Sequence, residues 1–171
     1  MSRFWKALRP FIVILAIVAL VLITYLVLNM ILEHKDPQPA LDITGVEYDE
    51  TSLFSLSDNY GKTGTILLFF DPAVSQSTDL LADVFMANQK QADLLAVSVS
   101  KESFATQKQT ITALGLDTAH ILFDTEGTMA QTYNITTTPI TYFIDKNGLV
   151  QDAFIGPISA ESLKKAIEEI A

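Results

Sequence analysis

None of the 171 residues is cysteine. That absence excludes disulfide bonds, thiolate metal sites, thiol nucleophiles and lipid attachment through an N-terminal cysteine. Histidine is scarce too, with only His34 and His120. A serine hydrolase needs a base held by an acid. His34 lies in a proline-flanked stretch and His120 beside an apolar run, where it caps or flanks Ile121, so no triad is expected. No histidine cluster offers metal ligands, and Asp124-Thr125-Glu126-Gly127 is too short for a twelve-residue calcium loop. No catalytic residue, metal site or cofactor is assigned.

Positive charge is also in short supply. The chain carries 11 basic and 20 acidic residues, net −9, and every base after Arg9 is a lysine. Arg3, Lys6 and Arg9 precede the first acid, which leaves a strongly acidic remainder. Such a surface repels phosphate backbones, so nucleic acid is not an expected partner.

What the chain does have is one long apolar run. From Phe11 to Leu32, 22 residues contain no charge, and only Thr24, Tyr25 and Asn29 bring polar groups. As a helix this run spans about 33 Å, enough for a bilayer core of about 30 Å. The bases before it and the acids after it predict an N-terminus inside and everything after Leu32 outside. The competing reading, a cleaved signal peptide, calls for a shorter apolar region and a small-x-small cleavage site. The sequence Asn29-Met30-Ile31-Leu32-Glu33-His34 provides none. The expected organisation is residues 1–10 in the cytoplasm, a transmembrane helix over 11–32, a stalk over 33–46 stiffened by Pro37 and Pro39, and an extracytoplasmic domain over 47–171. The bilayer is thus one expected partner, and a protein in or near the membrane another. The cell is expected to be bacterial, so the sequon Asn134-Ile135-Thr136 is read as chance.

Past the stalk, apolar residues alternate between strand and helix spacing. Ile66–Phe70 is continuous, as a strand covered on both faces should be. Leu80, Leu81, Val84 and Phe85 fall on one helical face. Further strands are predicted at Leu53–Leu56, Asp93–Val99, Ile121–Phe123, Thr141–Ile144 and Leu149–Phe154. Helices are expected through Phe104, Ile111 and Leu114, over Thr128–Tyr133, and after Ser159. Asp145-Lys146-Asn147-Gly148 signals a hairpin. The pattern is α/β with a mixed sheet. Ser75, Ser77 and Thr78 at a helix start read first as N-cap residues, and Asp71 before Pro72 as a turn-stabilising side chain.

Four segments, LSDNYGK (Leu56–Lys62), LLFFDPAVSQS (Leu67–Ser77), YNITTTPITYFIDKNG (Tyr133–Gly148) and FIGPIS (Phe154–Ser159), occur in an order that resembles the thioredoxin-like superfamily. The chain is most similar to its membrane-tethered thiol-disulfide oxidoreductases and its alkyl-hydroperoxide-reductase/thiol-specific-antioxidant (redoxin) group. The resemblance implies a thioredoxin-like fold over roughly 47–171 and a cis Thr138–Pro139 peptide. It places Val74-Ser75-Gln76-Ser77 where the family carries Cys-x-x-Cys, with Val74 and Ser77 at the thiol positions. A shift by one residue puts Ser75 and Thr78 there instead. Disulfide exchange needs a thiolate that forms a mixed disulfide, and peroxidase chemistry needs a cysteine nucleophile; neither register supplies sulfur. In the family the proline loop pairs its backbone with extended substrate, and that pairing needs no thiol. The expectation is therefore a redox-inactive binding or assembly module, with contacts at Ala73, Ser77, Thr138 and Pro139. The alternative is an oxidoreductase that borrows a partner's cysteines or holds a small thiol near Ser77.

Overall fold

The computed structural model describes residues 15–25, 37–47, 53–116 and 120–171. It divides into two compact units, 1–36 and 37–171. In the first, residues 15–25 are helical (α1). Among the described residues no helix is long and apolar enough to cross a membrane, and 11–14 and 26–32 of the expected span lie outside them. His34 and the start of the expected stalk also lie outside.

The second unit is built on a six-stranded sheet. Its strands are β1 (Gln38–Pro39), β4 (Thr65–Phe70), β5 (Asp93–Ser98), β6 (His120–Phe123), β7 (Ile140–Ile144) and β8 (Leu149–Ile155). They run in the order β1-β8-β7-β4-β5-β6. β4, β5 and β6 are parallel; β7 runs against β4, and β8 runs against β7 as its hairpin partner, back in the direction of β4. A separate ribbon pairs β2 (Thr44–Val46) with β3 (Leu53–Ser55), and a 3-10 turn over Leu56–Asn59 follows. The helices are α2 (Ser75–Asn88), α3 (Phe104–Ala113), α4 (Thr128–Thr132) and α5 (Ala160–Ile170). This is a thioredoxin-like α/β arrangement with a mixed sheet, as the sequence predicts.

β4 is the central strand and all six of its residues are buried. Successive side chains of a strand leave by opposite faces. Ile66, Leu68 and Phe70 accordingly join Leu80, Leu81 and Val84 of α2 and Leu163, Ala166, Ile167 and Ile170 of α5 in one core. Leu67 and Phe69 join Ile43, Leu56, Leu95, Val97, Leu122, Met129 and Ile144 in the other. The continuous apolar run at 66–70 is thus the signature of double coverage.

The stalk expectation needs correction from Pro37 on. Gln38 and Pro39 pair with Val150 and Leu149, and Thr44–Val46 pairs with β3, so residues 37–46 belong to the compact unit. Tyrosines fasten this strap: the Tyr133 hydroxyl donates to the Leu41 carbonyl at 2.7 Å, and Tyr60 reaches the Ala40 carbonyl at 3.5 Å. The Asp42 carboxylate accepts from the Ser57 backbone N–H at 3.0 Å, the Ser57 hydroxyl at 2.9 Å and the Ser55 hydroxyl at 3.0 Å. No local period announces β1, because its partner lies about a hundred residues away, and β2 is only three residues long.

The hairpin forms as predicted. Asp145 Oδ1 accepts from the N–H of Asn147 at 2.8 Å and of Leu149 at 3.0 Å, and Gly148 takes φ +78°. Ser159 caps α5, its hydroxyl accepting from Ser162 N–H at 3.1 Å. His120 opens β6 and sits beside the Phe54 ring, 5.9 Å between centroids.

Candidate functional site

The chain leaves β4 at Phe70 and turns at once. Asp71 Oδ1 accepts from Ala73 N–H at 2.9 Å, and the Asp71 carbonyl accepts from Val74 N–H at 3.0 Å. The carboxylate thus stabilises the turn, as expected of an aspartate before proline. Val74 is extended (φ −107°, ψ 111°), and α2 starts after it.

The N-cap expectation fails here. The cap position is Val74, which has no side-chain acceptor, and the three hydroxyl residues lie inside the first turn. Thr78 Oγ1 donates back to the Ser75 carbonyl at 2.8 Å. Ser77 is fully buried and its Oγ has no hydrogen-bond partner. The reason is tertiary. Ser77, Leu80, Leu81 and Val84 are the buried stripe of α2, so packing against the sheet decides where Ser77 points, not the free N–H groups at the helix end. With no exposure, Ser77 offers no surface to a macromolecular partner in this conformation. The turn presents Ala73, Val74, Ser75 and Gln76 instead, all exposed.

One further unpartnered buried hydroxyl occurs among the described residues, that of Thr141. Thr141 pairs with Leu68, whose face of the sheet carries α2, so both orphaned hydroxyls belong to the same interior layer. Sequence reasoning overlooked Thr141. Its position two residues after Pro139, on the inward phase of β7, was the available signal.

The Thr138–Pro139 peptide is cis. Pro139 is buried, Thr138 half-buried, and the Pro139 carbonyl accepts from Gly156 N–H at 2.8 Å. Two grooves flank the turn. One, of about 610 Å³, brings Asp71 together with Ser100, Lys101, Glu126, Thr136 and Thr138. The other, of about 330 Å³, lies between Ser75, Gln76, Asp79 and Asp83 of α2 and Pro157–Ile158 before α5. The turn and the proline loop therefore meet at one end of the sheet. Asp124, at the rim of the larger groove, spends its carboxylate on the N–H groups of Met129 (3.2 Å) and Ala130 (2.7 Å).

Perturbed acids and phenols lie away from the turn: Asp42 on the strap, Tyr60, Tyr133 and Tyr142 beside it, and Asp145 in the β7–β8 hairpin. Burial alone would raise the Asp42 pKa, but hydrogen bonds from Ser57, Ser55 and the Ile43 backbone outweigh it and hold the carboxyl below its usual value. Burial, then the nearby Tyr60 and Tyr142, pushes the Tyr133 phenol far above its ordinary value. No group of three metal-ligating side chains occurs among the described residues.

Solved structures with the same arrangement include a thiol:disulfide interchange protein DsbE from Chlorobium tepidum (18% identity, TM-score 0.69), covering 78% of this chain and 96% of that one. The exposed lipoprotein thioredoxin Etrx1 of Streptococcus pneumoniae matches at 24% identity and TM-score 0.64, over 75% and 99% of the two chains. A secreted Mycobacterium tuberculosis disulfide oxidoreductase homologous to E. coli DsbE matches at 13% identity and TM-score 0.65, over 74% and 95%. No curated protein matches the sequence. The model of the AhpC/TSA family matches residues 37–153, from the strap through the turn and proline loop into β8, and the chain therefore belongs to the AhpC/TSA family as a thioredoxin-like member without cysteine.

Proposed function

We propose that this protein is a redox-inactive, membrane-tethered member of its family. Residues 11–32 anchor it, and the thioredoxin-like domain on the outer side of the membrane binds or assembles a neighbouring protein. One observation carries the reading: the chain has no cysteine, while the turn's surroundings are kept, from Asp71 to the cis Thr138–Pro139 peptide, and the resemblance puts Val74 and Ser77, or in the shifted register Ser75 and Thr78, at the thiol positions. Electron transfer through this turn needs a thiolate to attack a sulfur, and the chain has none. Binding needs only shape and main-chain groups, which the scaffold keeps. The apolar run with its flanking charges supports the anchor and its orientation. The "exposed" and "secreted" descriptions of two structural relatives support placing the domain outside.

Contact is assigned to the exposed residues Ala73–Gln76 and to Thr138–Pro139. The test is photocrosslinking in native membranes from a reactive residue at Gln76. A discrete adduct lost on moving the probe to the far end of α2, at Gln89, is the expected result. An adduct pattern identical at both positions refutes the assignment.

A second reading has its own support. The unpartnered Ser77 hydroxyl, at a thiol position, is free to accept a hydrogen bond from a small thiol or from a partner's cysteine after local opening. Under that reading the purified chain, given such a thiol, reduces disulfides or consumes peroxide, and Ser77→Ala abolishes turnover. Absence of turnover with the partner's thiols present removes this reading.

A further inference from the structure

We propose that the turn's exposed ridge receives an extended peptide segment carrying lysine or arginine on either side of an apolar residue. This rests on the binding-module reading above and specifies the partner's chemistry.

The ridge Ala73–Gln76 separates two troughs of the same sign. The larger is lined by Asp71 and Glu126 and by the buried Asp124, whose carboxylate is already held by backbone N–H groups, against a single base, Lys101. The smaller is lined by Asp79 and Asp83 and by no base. Asp79 and Asp83 stand four residues apart on α2, hence on one helical face, where like charges repel. Neither has an ion-pair partner among the described residues, whereas the glutamates Glu168 and Glu169 of α5 each pair with a lysine. A cationic side chain laid between the two aspartates relieves that repulsion.

Apolar surface lies on the ridge itself, where Val74 is 38% exposed, and Ile155, paired with Ile140 just after the proline loop, is 74% exposed. Pro157 continues it. Water is excluded here only if an apolar group covers the patch. A segment that spans both troughs and the ridge thus meets acid, apolar and acid surface in succession. A strand-like peptide presents alternate side chains to one face, so a cation–x–apolar–x–cation spacing matches this order.

The test uses the full chain in non-ionic detergent and two fluorescent peptides, one reading Lys-Gly-Leu-Gly-Lys and the other Glu-Gly-Leu-Gly-Glu, followed by anisotropy. The lysine peptide is expected to bind at least about tenfold more tightly at low salt, and the preference to shrink as salt screens the charges. Asp79→Asn with Asp83→Asn is expected to weaken it about three- to tenfold, the range for two exposed charge pairs. Glu168→Gln with Glu169→Gln, which alters net charge equally but far along α5, is expected to leave it unchanged. Equal affinity for the two peptides, no binding of either, or equal weakening by both double variants overturns the proposal. None of these outcomes touches the crosslinking result at Gln76: an adduct to a neutral or acidic partner segment would sink the charge preference and leave the binding module standing.

Discussion

Serine in the first turn of a helix is ordinarily replaced by alanine at a loss; at position 77 the replacement should be a gain. The Ser77 hydroxyl is buried without a partner. An unsatisfied buried hydroxyl costs about 1–3 kcal/mol in proteins. Alanine removes that cost and adds up to roughly 0.7 kcal/mol of helix preference. Against this stands the loss of one buried heavy atom's contacts, about 1 kcal/mol by the scale of a buried methylene. The balance for Ser77→Ala is a stabilisation of about 1 kcal/mol. Thr141→Val keeps the side-chain shape and removes the other orphaned hydroxyl, so its gain should be nearer 1–2 kcal/mol. For a domain of this size 1 kcal/mol corresponds to about 3–5 °C in Tm. Thermal unfolding of a 37–171 fragment, followed by circular dichroism, reads both variants and their combination. A fall in Tm of more than about 2 °C for Ser77→Ala would show that the hydroxyl has a partner or a cap to satisfy, refuting the account of this position. A double variant well short of the sum of the singles would show that the two hydroxyls share one.

Other outcomes follow from the same geometry. Val74→Cys with Ser77→Cys places thiols three residues apart at a helix start, about 5–6 Å between Cβ atoms before adjustment, and should form a reducible disulfide measurable by thiol counting; failure to oxidise would show that the turn has lost more than its sulfurs. Tyr133→Phe should loosen the strap by about 1 kcal/mol through the lost bond to Leu41, seen as faster amide exchange over 38–46 and little change in β4. Tyr60, Tyr133 and Tyr142 all have raised pKa values, so the folded state holds their protons more tightly than the unfolded one; their contribution to stability should be constant below pH 10.0, their ordinary value, and be lost as pH rises above it. Asp42 and Asp145 have lowered pKa values, so their contributions should be complete above 3.8 and disappear as pH falls further, an acid limb that Asp42→Asn should make shallower in urea titrations and leave partly in place through Asp145.

Local pattern was sufficient for most of this molecule. The run at Ile66–Phe70, the Asp145–Gly148 turn and the Ser159 cap each depend on neighbours within a few residues and form as their spacing predicts, and of the predicted stripe on α2 Leu80, Leu81 and Val84 are buried while Phe85 is exposed. That no cysteine is available to the turn needs nothing beyond the sequence. Tertiary structure decided the rest. β1 and β2 are strands only because β8 and β3 complete their hydrogen bonds. Ser77 is buried rather than a cap because the apolar stripe of α2 must face the sheet, and burying that stripe outweighs one hydroxyl's hydrogen bond. The two troughs exist only because the β6–α4, α4–β7 and β8–α5 loops fold back beside a turn about 50 or more residues away in sequence.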